Sequence, residues 1–186
     1  ISRFHLDVLE SPDLPTQLPA PAPLLVHYEK SFPHSGLVRI RRDRVDASIL
    51  TKNPVFFTMH KGAAVLEALR LAAAFFGQGQ FAASSIEQKE SAYHLKQEWT
   101  GPYYQPPPGD PITGDGDWSN LPKESRRRTE VQRLTANIVI RELTDATGDG
   151  GFSIHFRLDG TNRVPWAIEF ALRPGTRVLD ENDTDV

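Results

Sequence analysis

The feature that most constrains this chain is a two-residue rhythm. From Phe152 to Leu158 the apolar residues Phe152, Ile154, Phe156 and Leu158 alternate without a break with Ser153, His155 and Arg157. A helix repeats every 3.6 residues and cannot gather such a set on one side, whereas a strand does so by its pleat. Residues 129–143 keep the same rhythm, with Leu134, Ala136, Ile138 and Ile140 on one face and Arg133, Thr135, Asn137 and Arg141 on the other. Residues 24–32, 37–41, 45–50, 55–59 and 166–172 read as further strands. The turn formers Pro33-His34-Ser35-Gly36, Arg42-Asp43-Arg44, Asn53-Pro54, His60-Lys61-Gly62, Asp159-Gly160 and Arg173-Pro174-Gly175 separate them. The pattern predicts an all-β fold, a large antiparallel β-sandwich of the supersandwich type, over residues 24–178. An extended proline-rich arm precedes it at 1–23, where five prolines fall between residues 11 and 23 and residues 4–9 read as one edge strand. An acidic tail follows at 179–186.

Residues 62–76 are the ambiguous stretch. The run from Ala63 to Ala74 is rich in alanine and leucine and carries strong helix propensity, but only Glu67 and Arg70 are polar, so no polar face forms at helical spacing. As a strand it places Val65, Glu67, Leu69 and Leu71 on one face and Leu66, Ala68, Arg70 and Ala72 on the other. The strand-and-turn context on both sides favours the strand, with Gly77-Gln78-Gly79 as a turn or bulge after it.

Composition narrows the function classes. The net charge of -3 supplies no field to draw in nucleic acid, although Arg39, Arg41, Arg42 and Arg44 and the run Arg126-Arg127-Arg128 are basic locally. The absence of cysteine removes disulfide scaffolds, thiolate zinc sites and a cysteine nucleophile. No apolar run approaches the roughly 20 residues of a membrane-spanning helix. A start at Ile1 without a signal pattern reads as a processed chain or a segment of a longer protein. No Gly-x-Ser-x-Gly elbow and no phosphate loop is present. Six histidines occur, none paired at helical zinc spacing; His34 and His60 read as turn residues that could converge. Glu67 and Glu169 sit in the most apolar runs and are expected to pair with arginines such as Arg70 or Arg173.

Residues 101–122 read as a long loop with six prolines and four glycines. Loops of such length are uncommon unless functional or disordered. Trp99, Tyr103, Tyr104 and Trp118 bracket it, and Arg126, Arg127 and Arg128 follow. Aromatic faces stack on the apolar faces of sugar rings, and arginines fork onto carboxylate or sulfate groups; the competing reading is that these aromatics pack. The candidate substrate-binding set is Trp99, Tyr103, Tyr104, Trp118, Arg126, Arg127, His34 and His60. No catalytic residue is assigned. No cofactor is expected, the alternative being calcium near Asp115 and Asp117, where Asp110 and Asn120 add oxygens without the spacing of an EF-hand.

Four stretches carry a family resemblance: Ser35-Gly36-Leu37-Val38-Arg39-Ile40-Arg41-Arg42; Asn53-Pro54-Val55-Phe56-Phe57; Ala74-Phe75-Phe76-Gly77-Gln78-Gly79-Gln80-Phe81; and Leu158-Asp159-Gly160 running into Val164-Pro165-Trp166-Ala167-Ile168-Glu169. Together they resemble the C-terminal β-sandwich of heparinase-type (heparinase II/III-like) bacterial polysaccharide lyases and their uncharacterised relatives. In that family an α-helical toroid supplies the lyase tyrosine and its histidine partner, and this chain has neither the toroid nor the family's His-rich metal segment. The resemblance therefore implies an accessory β-sandwich domain of a carbohydrate-active protein, supporting glycan binding or packing on an α-helical catalytic domain of the same protein. Its partners would be a polysaccharide or oligosaccharide, with no nucleic acid and no membrane. Its expected location is secreted or periplasmic, with a cytoplasmic one as the alternative. Two other functions stay open: an independent sugar-active enzyme with a carboxylate and histidine site on a sheet face, and a structural or interaction module without catalysis.

Overall fold

A computed structural model describes residues 22–105, 127–144 and 150–182. Their secondary structure is ten strands and one short 3-10 turn: β1 (His27–Phe32), the turn Pro33–Ser35, β2 (Leu37–Arg42), β3 (Val45–Leu50), β4 (Phe57–Lys61), β5 (Ala64–Ala73), β6 (Ile86–Lys89), β7 (Ala92–Gln105), β8 (Arg127–Leu143), β9 (Gly151–Gly160) and β10 (Trp166–Leu172). All pairings are antiparallel, in a six-stranded sheet ordered β1-β2-β3-β4-β5-β10 and a four-stranded sheet ordered β6-β7-β8-β9. This is the all-β sandwich that the alternation predicts. The proline-rich arm apart from its last two residues, and the end of the acidic tail, lie outside the described residues.

The apolar faces of the two sheets meet in one core. Val38, Ile40, Ala47, Ile49, Leu69 and Leu71 come from the larger sheet, and Leu95, Trp99, Leu134, Ala136, Ile138 and Ile140 from the smaller. Phe56 and Phe57, at the entry to β4, bridge the sheets, with Phe56 meeting Phe156 edge-on at 6.1 Å and Phe57 meeting Phe152 at 5.3 Å between ring centroids. Fully burying a side chain of this size contributes about 1.5–3 kcal/mol, so the alternating apolar positions dominate the choice of register.

The ambiguous run 62–76 is a strand, β5, held between β4 and β10. Strict alternation does not hold in it. Both neighbours shift register at its middle, Met59 pairing with Leu66 but Phe57 with Leu69, and Leu172 pairing with Leu66 but Ala171 with Ala68. The bulge lets Leu66 pack against the same core as Leu69 and Leu71, and Glu67 turns outward to pair with Arg173. Beyond β5 the chain doubles back tightly, and a Cβ on Gly79 would lie 1.5 Å from the Ala73 carbonyl oxygen.

Two further expectations are corrected. His60 is a strand residue of β4, opposite Asp46 and Val65, and the turn after it begins at Gly62. The expected loop at 101–122 starts later, because β7 runs to Gln105 and stays paired with β8 throughout. Pro102 is tolerated because β7 has β8 as its sole neighbour there, so no ladder bond needs the missing N–H.

Candidate functional site

The unequal strand lengths create a projection. β6 covers β7 only from Ala92 to Leu95, and β9 covers β8 only from Leu134 onward. Residues 101–105 of β7 and 127–133 of β8 therefore extend as a two-stranded ribbon. Cross-strand partners share a face, so Gly101 and Gln132, Tyr103 and Glu130, and Gln105 and Arg127 continue the face that carries Trp99 and Leu134 in the core. A bulge at Thr129, between the Tyr103 and Tyr104 pairings, puts Tyr104 and Arg128 on the opposite face.

Phe76 caps the core at the root of this ribbon. It adopts a left-handed backbone (φ 49°) in the turn after β5 and lays its ring on the Gly101 backbone, so close that a Cβ there would meet the ring at 2.1 Å. Phe76, Tyr103, Gln132, Thr161 and Val164 line a depression of about 380 Å³, with Phe76 47% and Tyr103 51% exposed. The loop after β9 forms its wall, and the far side of the wall is a second depression of about 350 Å³ bordered by Asp159, Asn162, Arg163 and Trp166. The wall is well tied: Thr161 N donates to the Arg133 carbonyl at 2.8 Å, Ala74 N donates to the Pro165 carbonyl at 2.8 Å, and Thr161 Oγ1 donates to Gln132 Oε1 at 2.7 Å. Gln132 in turn donates to Glu130. Half-exposed rings stand beside a pre-ordered row of hydroxyl, amide and carboxylate groups.

The sequence-predicted site residues separate into several places. Tyr103 and Arg127 share the inner face of the ribbon. Tyr104 is exposed on the outer face. Trp99 is a core residue, 3% exposed, with its ring against Phe81 at 6.4 Å; it packs, as the competing reading had it, because the alternation that buries Leu95 also buries the residue four positions on. His34 lies in the turn before β2 and His60 near the opposite end of β3. The four residue steps from Leu50 to Asp46 alone separate them by about 13 Å along the strand, so they do not converge. Both are exposed. Trp118, Arg126 and the calcium candidates Asp115 and Asp117 lie outside the described residues. Among the described residues no group of three or more metal-ligating side chains comes together. Glu67 and Glu169 pair with Arg173 and Arg70, as expected. Phe76, Gln132, Thr161 and Trp166 join the ribbon site without having been singled out. Their exposure depends on strand lengths that alternation does not encode.

A second, chemically different hollow lies at the seam between the edge strands β1 and β6. It has a volume of about 380 Å³ and is bordered by Glu29, Ser31, Phe32, Ile86, Gln88 and Tyr93 among others. Arg42 bridges the two sheets here, donating through Nη2 to Glu29 at 3.2 Å and to Glu142 at 2.9 Å. Gln88 donates to the other Glu29 oxygen at 3.1 Å. Tyr93 is 2% exposed and its hydroxyl completes no hydrogen bond. Burial first, and then the Glu29 carboxylate beside it, push that phenol far above its ordinary ionisation range.

No protein-family model, curated protein or solved structure matches the chain.

Proposed function

We propose that this chain is an accessory β-sandwich domain of a carbohydrate-active, polysaccharide-lyase-like protein, and that the ribbon end of the sandwich contacts glycan. The observation that carries the proposal is the pair of half-exposed rings, Phe76 and Tyr103, set beside the ordered Thr161–Gln132–Glu130 row. Sugars present flat C–H faces edged by hydroxyls, and such a surface answers both: aromatic planes for the faces, fixed donors and acceptors for the edges. Arg127 on the same face of the ribbon adds a fork for a carboxylate or sulfate group. The resemblance to heparinase-type sandwiches supports the same direction, and the reading places the domain in a secreted or periplasmic setting, where polysaccharides are met.

The test is affinity electrophoresis and a glycan array on the whole chain, repeated with Tyr103→Ala and Arg127→Ala. Loss of a stacked ring contact worth about 0.5–1.5 kcal/mol beyond its buried area weakens binding severalfold or more in Tyr103→Ala. Arg127→Ala selectively weakens binding to acidic glycans. Failure to bind any neutral or acidic glycan, or binding indifferent to Tyr103→Ala, rejects the proposal.

A further inference from the structure

We propose that the seam hollow between β1 and β6 is a binding site for a small organic ammonium ion: a primary ammonium carried on a compact apolar body. The proposal is independent of glycan contact, because the hollow shares no lining residue with the ribbon depression.

Three observations select that chemistry. The first is charge. Two carboxylates, Glu29 and Glu142, share the single guanidinium of Arg42. Both terminal nitrogens of Arg42 are engaged, since Nη1 donates to the backbone carbonyls of Tyr28 at 2.7 Å and Arg41 at 3.0 Å. Of these three groups Glu29 lines the hollow, and one base answers two acids, so the cluster keeps one negative charge in excess. Lys30 is not among the residues that line the hollow and sits over the Phe32 ring, 5.1 Å from the centroid.

The second is an orphan. A buried polar atom without a partner is costly, and proteins tend to leave one where something else completes it. The Tyr93 hydroxyl is such an atom. An ammonium placed beside this hydroxyl and the adjoining Glu29 carboxylate donates one N–H to the phenol oxygen and another to the carboxylate, and Ser31 offers a third acceptor. The third is the wall. Phe32 and Ile86 give the rest of the hollow an apolar lining, which suits the hydrocarbon part of the ligand, and a volume of about 380 Å³ admits a body of one ring.

Isothermal titration calorimetry on the whole chain near neutral pH tests this with benzylamine, cyclohexylamine and ethanolamine, against benzyl alcohol as the uncharged counterpart of the first. Benzylamine is expected to bind at least about tenfold more tightly than benzyl alcohol, the margin of one charge-assisted hydrogen bond. Glu29→Gln is expected to weaken benzylamine about tenfold and Tyr93→Phe severalfold. Tyr93→Phe removes only the orphan hydroxyl and keeps the packed ring, so its circular dichroism and thermal melt verify that the sandwich is intact. Three results overturn the proposal: none of the three amines binds, the alcohol binds as well as the amine, or a folded Tyr93→Phe binds benzylamine as the parent does.

Discussion

Gly101 is where fold and ribbon site meet, and replacing it with alanine isolates one contact. Gly101 lies in extended β7 and its φ is outside the left-handed region, so alanine brings no backbone strain. The nearest obstacle is the Phe76 ring, whose Cδ2, Cε2 and Cγ would lie 2.1, 2.4 and 2.6 Å from the new Cβ. The ring must leave. Phe76 is 47% exposed, so about half of a side chain that buries roughly 150–250 Å² when fully covered is at stake. At about 25 cal/mol per Å², expelling it costs about 2–3 kcal/mol. Replacing glycine by alanine returns about 0.4–1 kcal/mol by restricting the unfolded chain. Gly101→Ala should therefore destabilise by about 1–2.5 kcal/mol. In a Phe76→Ala background the obstacle is gone and the sign reverses, Gly101→Ala now stabilising by about 0.4–1 kcal/mol. Urea denaturation of the four proteins, followed by tryptophan fluorescence at constant m-value, measures this cycle. Equal effects of Gly101→Ala in both backgrounds would refute the ring contact and, with it, the placement of Phe76 at the root of the ribbon.

Two more outcomes follow from charged and titratable groups. Tyr93 ionises above its ordinary pKa of 10.0 in the folded chain, so its contribution is fully present below pH 10 and is lost above it, as the unfolded chain releases a proton that the folded chain retains. Stability should fall from pH 10 upward with an extra slope of up to about 1.4 kcal/mol per pH unit that Tyr93→Phe lacks, measured by urea titration of both proteins across that range. Arg42 joins the two sheets through groups only about a third exposed, and Arg42→Gln leaves Glu29 and Glu142 facing each other, at a cost of about 1–3 kcal/mol. Arg157→Gln, which breaks a pair with Asp159 made by a guanidinium 78% exposed to solvent, should by contrast leave the denaturation midpoint nearly unchanged; comparable shifts in the two variants would contradict a cross-sheet role for Arg42.

Much of this architecture can be read in the residues. Over 134–140 and 152–158 an apolar residue at every second position admits only strands, and each of those residues lies in the core or packs against it. Residues 64–73 were harder because local propensity and tertiary demand conflict there. Alanine and leucine favour a helix, but β4 and β10 offer ladders on both sides and override the preference. Alternation then misassigns the faces of that strand, since a bulge has no signature in residue type. The ribbon site was partly legible. Tyr103 and Arg127 stand out by chemistry, but their shared face follows from the β7–β8 register. Pro102 hides that register because proline ordinarily argues against a strand. The seam hollow left no motif at all. Glu29, Arg42, Tyr93 and Glu142 are scattered along more than a hundred residues and meet only because β1 and β6 are the edges of opposed sheets.

The position of β10 has a consequence for how the chain is made. Trp166–Leu172 follows β9 in sequence but belongs to the other sheet, against β5, and Trp166 meets Ala73 after about ninety intervening residues have been synthesised. Until then the growing chain presents the whole Ala64–Ala73 edge, an alanine- and leucine-rich ladder with open hydrogen-bonding groups, to whatever strand is nearest. Closure late and over such a separation makes for slow folding. Yield during synthesis should accordingly hinge on what occupies that edge before its own last strand arrives.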